Sequence, residues 1–249
     1  MNKLLKIKHL EKKYHDKKGE ITAISDISLD VFNNEFLSIV GPSGCGKSTL
    51  LSILSNLEKK TCGEILFSNK DLKIGYMLQT DCLFPWRTIL ENCLIGLEIS
   101  NCLNDKSKQR VIHLLKKYGL GDFINKYPSS LSGGMKQRVA LIRTLATDPD
   151  ILLLDEPFSA LDYVSRLKLS NDIYKIIKEE GKTAIMVTHD LGEAISMSNR
   201  VVVLSNRPAV IKSIYEISFS NPSSPINNRK CKEFNNYYDL IWKDLDYYV

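Results

Sequence analysis

The sequence predicts an α/β fold: a core with a mainly parallel sheet, an N-terminal antiparallel β subdomain and an inserted helical subdomain. Three observations carry this. Short continuous apolar runs, the mark of strands buried on both faces, are separated by segments of helical periodicity. The first 35 residues instead alternate apolar and polar (Leu5, Ile7; Ile27, Leu29, Val31), as half-exposed antiparallel strands do. Between Leu83 and Ala146 no buried-strand run occurs.

In chain order, Phe36–Val40 is a buried strand ending at Gly41, and Thr49–Leu57 carries helical spacing through Leu50, Leu51, Leu54 and Leu57. Ile74–Leu78 reads as a further strand. Residues from about 83 to 146 read as several helices, with breaks at Gly119-Leu-Gly121 and Pro128. Ile151–Leu154 is a buried strand, Lys168–Glu180 an amphipathic helix, and Thr183–Thr188 and Arg200–Ser205 are two more buried strands. Buried strands linked by helices imply parallel crossovers. Asn221–Asn228, with Pro222 and Pro225, reads as a linker to a last helix carrying Phe234, Tyr237, Tyr238, Ile241, Trp242, Leu245 and Tyr248 at helical spacing. The expected organisation is one domain over residues 1–220, followed by the linker and amphipathic helix of 221–249.

Composition narrows the function. Thirty-four Lys and Arg against 29 Asp and Glu leave a net charge of +5, which permits an anionic ligand without demanding a nucleic acid. No apolar run approaches the roughly 20 residues that span a bilayer. Lys6 and Lys8 interrupt the apolar start, so no signal peptide is expected. The six cysteines form no C-x-x-C pair, and reduced thiols are expected rather than a zinc site. The Lys-rich start (Lys3, Lys6, Lys8, Lys12, Lys13, Lys17, Lys18) reads as a solvated strand face, since Tyr14 is the only stacking aromatic among it.

Gly41-Pro42-Ser43-Gly44-Cys45-Gly46-Lys47-Ser48-Thr49 fits G-x-x-x-x-G-K-[ST] between a buried strand and a helix, the context of a P-loop. Its glycines let backbone N–H groups curl around phosphate oxygens, and the helix terminus adds its positive dipole. Lys47 is expected to neutralise the β- and γ-phosphates and Ser48 to ligate Mg²⁺. Asp155 ends the strand Ile151–Leu154 where a carboxylate can hold the metal from the side opposite Ser48, and Glu156 follows where it can polarise an attacking water. Ser132-Gly133-Gly134, opening the helix that runs to Ala146, builds a second anion-binding helix terminus. A thiol in a P-loop, next to a helix N-terminus, is expected to have a lowered pKa, so Cys45 is expected to react with maleimide.

Together these segments resemble the nucleotide-binding subunits of ABC transporters along nearly all of Leu4–Glu216. Leu131–Arg138 is similar to that family's signature sequence, Gly41–Thr49 to its phosphate loop and Ile151–Pro157 to its strand-carboxylate motif. The resemblance implies further roles. Tyr14 corresponds to the aromatic that stacks on adenine. Gln79 corresponds to the glutamine linking Mg²⁺ and water to the transmembrane partner. Ser159–Asp162 corresponds to the loop that crosses between subunits, and His189 to the histidine that contacts the γ-phosphate.

It further implies an ABC ATPase working as a head-to-tail dimer of identical or paralogous copies. Each ATP would lie between Gly41–Thr49 of one copy and Ser132–Gly134 of the other. The implied partners are transmembrane permease subunits and an extracytoplasmic solute-binding protein, with no nucleic acid. The chain would sit on the cytoplasmic face of the membrane, held there through the permease alone.

Leu83–Asn92, Phe158–Tyr163 and Leu204–Pro208 resemble the nitrate/sulfonate/taurine import branch. An importer of another solute, such as a thiamine precursor, and a soluble ABC ATPase are the alternatives. Trp86 is expected either inside the helical subdomain or in a groove for a permease loop. The last helix, whose polar face carries acids, is expected to pack on its own chain or on a partner subunit rather than on lipid.

Overall fold

The computed structural model describes residues 2–16, 19–159 and 161–245. Two long strands, β1 (Lys3–Asp16) and β2 (Gly19–Phe32), precede β3 (Phe36–Val40) and α1 (Lys47–Leu54). After β4 (Cys62–Phe67) and β5 (Ile74–Met77) come three helices in succession: α2 (Ile89–Ile99), α3 (Asp105–Lys117) and α4 (Gly133–Ala146). Strand and helix then alternate through β6 (Ile151–Asp155), α5 (Tyr163–Glu179), β7 (Thr183–Val187), α6 (Leu191–Met197) and β8 (Arg200–Leu204). The described chain closes with β9 (Ala209–Glu216), α7 (Pro225–Asn228) and α8 (Lys232–Asp244).

The strands form one sheet in the order β4-β1-β2-β9-β8-β3-β7-β6-β5. From β8 to β5 every pairing is parallel, whereas β1 is antiparallel to both β2 and β4. The continuous apolar runs have a direct cause. In β6, Leu152 and Leu154 face the core shared with α2–α5, while Ile151 and Leu153 face α1 and the N-terminal strands. Both faces are covered, which favours apolar residues at successive positions. The P-loop strand β3 lies mid-sheet, with β8 on one side and β7 then β6 on the other. Loops at its C-terminal end therefore converge from both flanks, where open α/β sheets bind ligands.

Several boundaries differ from expectation. Helix α1 stops at Leu54 because Asn56 adopts a left-handed conformation (φ 60°), and Leu57 points into solvent at 68% exposure. Helix α5 begins at Tyr163, five residues earlier than Lys168, because Asp162 caps it by accepting from the Ser165 amide at 3.0 Å. The strands β4 and β9 were not expected. Residues 221–228 are not a free linker: α7 forms within them, with Pro225 in its first turn. Asn228 is buried there, donating to the Ser196 carbonyl at 2.9 Å.

Helix α8 packs on its own chain. Ile241 and Leu245 are buried against α6 and β8, and Asp244 accepts from the Tyr215 hydroxyl at 2.6 Å and from Ser213. Tyr248 lies outside the described residues. In the N-terminal lysine run, Lys3, Lys8, Lys12 and Lys13 each pair with a carboxylate (Asp30, Glu64, Glu58 and Glu20). Lys17 and Lys18 also fall outside the described residues.

Candidate functional site

The P-loop follows β3 with Gly44 and Gly46 at φ of 72° and 120°, backbone that an L side chain rarely adopts. The Lys47 amine turns back into this loop, donating to the carbonyls of Gly41 and Pro42 at 2.8 and 2.9 Å. It is thus held where the loop amides gather, although the side chain is buried. A cleft of about 320 Å³ opens over the loop, lined by Ser43, Gly44, Gly46, Lys47, Ser48 and Thr49. Tyr14, Ile21 and Ala23 form one wall of it and Glu156 another. Tyr14, 37% exposed, presents a ring there with the Lys12 amine 4.5 Å from its centroid.

At the far end of the cleft the carboxylates converge. The Ser48 hydroxyl donates to Asp155 Oδ1 at 3.0 Å, and the Tyr76 hydroxyl donates to Oδ2 at 3.0 Å. Burial, then the Asp155 carboxylate, pushes the Tyr76 hydroxyl up to about 12, so it stays a proton donor and orients that carboxylate. Tyr76 escaped the sequence analysis; its position on the strand leading into Gln79 was the one available sign. Glu156 follows in a left-handed conformation (φ 43°), uncommon for a residue with a side chain, while its amide still donates to Val187 O at 2.9 Å. Its Oε2 lies 3.1 Å from His189 Nδ1 and accepts from Gln79 Nε2 at 3.4 Å. Gln79 also donates to Ser159 Oγ at 3.3 Å, and its carbonyl accepts from Gln137 of α4.

The residues Ser132, Gly133, Gly134 and Asp162 are not brought into this cleft. Ser132 caps α4 by accepting from the Met135 amide, Gly134 faces open space, and Gly133 abuts Leu161. Cys45 does not meet the expectation of a reactive thiol. It is 1% exposed, packed against Gly41, and burial raises its pKa despite the neighbouring Lys47 and the helix terminus. Desolvation outweighs the dipole. Maleimide is therefore expected to label exposed Cys62, Cys82 and Cys102 first, with peptide mass spectrometry finding Cys45 modified last. Labelling of Cys45 ahead of these would contradict its burial.

The loop that carries His189 is held by a buried network. The Thr188 hydroxyl donates to Glu193 Oε2 at 2.7 Å, the Glu193 amide donates to Asp190 Oδ1, and Arg166 bridges Asp190 and the Leu161 carbonyl. Burial drives the Glu193 carboxyl up to about 7; Asp190 adds to the rise, and Thr188, Arg166 and Arg229 oppose it. For a raised acid, the stability it contributes is fully present below its unfolded pKa and is lost as pH rises through the folded value. The loss is on the order of 3 kcal/mol. Glu193→Gln is therefore expected to flatten the fall in melting temperature between about pH 4.5 and 7. An unchanged slope would contradict this.

A P-loop opening a helix, with strand-end carboxylates facing it across a cleft, defines the class: a nucleoside triphosphatase of the P-loop type. The ABC transporter family matches residues 24–159. The chain is 45% identical to the uncharacterised ABC transporter ATP-binding protein YtlC of Bacillus subtilis, over 97% of this chain and 95% of that one. It is 38% identical to the taurine import ATP-binding protein TauB of Roseobacter denitrificans, over 92% and 88% of the two chains. Its fold superimposes on a dimeric ATP-binding cassette bound to ADP and phosphate with a TM-score of 0.73, at 32% identity over 86% of this chain and 99% of that one. The chain belongs to the ABC transporter family, as an ATP-binding, ATP-hydrolysing subunit.

Proposed function

We propose that this subunit energises an ABC importer for a small anionic or polar solute of the taurine, sulfonate or nitrate kind, by ATP-driven closure of a dimer. The observation that carries the catalytic part is the convergence of Glu156, His189 and Gln79 one residue beyond Asp155. The solute class rests on the likeness to the taurine import protein.

In this reading the loop amides of 41–49 and the Lys47 ammonium hold the phosphates, and Tyr14 stacks on adenine. Glu156 takes the proton from the attacking water, while His189 and Gln79 position that water and the γ-phosphate. Ser48 and Asp155, with Gln79, would hold Mg²⁺. A hydroxyl and a carboxylate oxygen 3.0 Å apart suit a hard cation that keeps water and phosphate ligands for its remaining positions. When bound, the ion neutralises phosphate charge.

Ser132–Gly134 and Asp162 act on the nucleotide of a second copy in this account, which is consistent with a signature helix terminus that does not line its own cleft and has open space at Gly134. Permease subunits contact the helical region, where exposed Trp86 stands 5.2 Å from Phe84; a solute-binding protein completes the system. No described helix is long and apolar enough to cross a membrane, so the proposed attachment to the cytoplasmic face runs through the permease. The test is to tag the chain in its own cells, solubilise the membranes gently and identify what co-purifies. Permease and solute-binding proteins are expected; recovery with ribosomes or nucleic acid would contradict the transport reading.

A further inference from the structure

The cleft is lined by a second cation besides Lys47. Arg207 lies in the turn between β8 and β9 and lines the cleft beside Tyr14, Ile21, Ala23 and Gly46. The turn is firmly built: the Ser205 amide donates to the Val210 carbonyl at 3.0 Å, and the Val210 amide donates to Ser205 Oγ at 3.0 Å. β9 pairs with β2 through Ala209 and Ile24, and this brings Ala209 against the P-loop at Gly46. A Cβ placed on Gly46 would stand 3.8 Å from Ala209 Cβ and 3.2 Å from the Ala23 carbonyl. The Arg207 backbone is thus fixed two residues from a contact with the phosphate loop.

The state of its side chain matters as much. Lys47 already donates to two carbonyls, and Lys12 pairs with Glu58. Among the described residues no hydrogen bond or ion pair engages the exposed Arg207 guanidinium, so it faces the cleft with its charge unneutralised. Strand order gives the direction. β8 and β9 flank β3 on one side, and β7 and β6, which bring His189 and Glu156, flank it on the other. Arg207 approaches the loop from the flank opposite the hydrolytic carboxylate.

We propose that Arg207 is a nucleotide-binding residue, pairing its guanidinium with a phosphate that ATP and ADP share rather than with the γ-phosphate. Its planar fork suits phosphate oxygens, and its position commits it to retention of nucleotide before and after hydrolysis. This inference rests on the reading of the cleft as the nucleotide site.

The experiment titrates ADP and a non-hydrolysable ATP analogue into the full chain and into Arg207→Ala, Arg207→Lys, Arg207→Glu and Lys47→Ala. Arg207→Ala is expected to weaken both ligands by the same factor, about tenfold, Arg207→Lys to recover part of this, and Arg207→Glu to lose more. The salt dependence of ADP affinity is expected to be shallower in Arg207→Ala than in the unaltered chain. Ligand-free melting temperatures are expected to be unchanged, as the side chain has no partner to lose. ADP affinity unchanged in Arg207→Ala but lost in Lys47→Ala would overturn the inference and leave the cleft standing. ADP affinity unchanged in both would overturn the cleft reading itself. A loss confined to the triphosphate analogue, or one accompanied by lowered ligand-free melting in both Arg207→Ala and Arg207→Lys, would also overturn the inference.

Discussion

Glu156→Gln is expected to bind ATP about as tightly as the unaltered chain and to hydrolyse it at least a hundredfold more slowly. The amide keeps the shape of the carboxylate and its contact distance to His189 and Gln79, so the cleft retains its form. What it loses is the capacity to take a proton from water, and general-base catalysis is worth about 10²- to 10⁴-fold. Single-turnover hydrolysis together with equilibrium binding of ATP separates the two effects. Wild-type turnover would remove Glu156 from the proposed chemistry, and a parallel loss of binding would show that it shapes the loop instead.

Lys47→Ala is expected to fail one step earlier. The Lys47 amine is buried against the loop, and a buried charge-assisted contact to phosphate is worth about 2–5 kcal/mol when one partner is truncated. That corresponds to a loss of affinity for ATP and ADP of about 30-fold or more. Its two bonds to Gly41 and Pro42 also brace the loop, so part of the loss comes from a looser phosphate cradle. Equilibrium titration with ADP reads the effect directly, and undiminished affinity would contradict it.

Much of this site is legible in the sequence because its chemistry is tied to chain-local features. A Gly-rich turn between a buried strand and a helix, and a carboxylate pair at the end of a second buried strand, need no tertiary knowledge to be recognised. The parallel core is equally legible, since strands covered on both faces leave the near-continuous apolar runs seen in β3, β6, β7 and β8, broken mid-strand only by Ser38 in β3. What escaped depends on partners distant in sequence. Strand β4 is an edge strand with mostly exposed side chains, so no burial pattern marks it. Strand β9 is recognised by pairing with β2 and β8 rather than by its own residues. Tyr76 matters because Asp155, on the neighbouring strand, accepts its hydroxyl.

The expectation for Cys45 fails for a related reason. Position beside a helix terminus is visible in the sequence, but the packing that buries the thiol under Gly41 is not, and desolvation is the larger influence. Asp162 is legible in the sequence only as part of a loop motif; its second role, capping α5 by accepting from the Ser165 amide, emerges from the structure. The early start of α5 follows from that cap. The final helix was expected, from its acidic polar face, to pack on its own chain or on a partner subunit, and the structure shows it packed on its own chain against α6 and β8.

The central claim is that two copies close on ATP, each lending Ser132–Gly134 to the other's P-loop. Light scattering on Glu156→Gln, with and without saturating ATP, tests it most directly, with Ser132→Arg added in a second sample to block the signature helix terminus. The account predicts that ATP doubles the mass of Glu156→Gln and leaves the double variant monomeric. A Glu156→Gln chain that stays monomeric at saturating ATP, or a double variant that still dimerises, would contradict it.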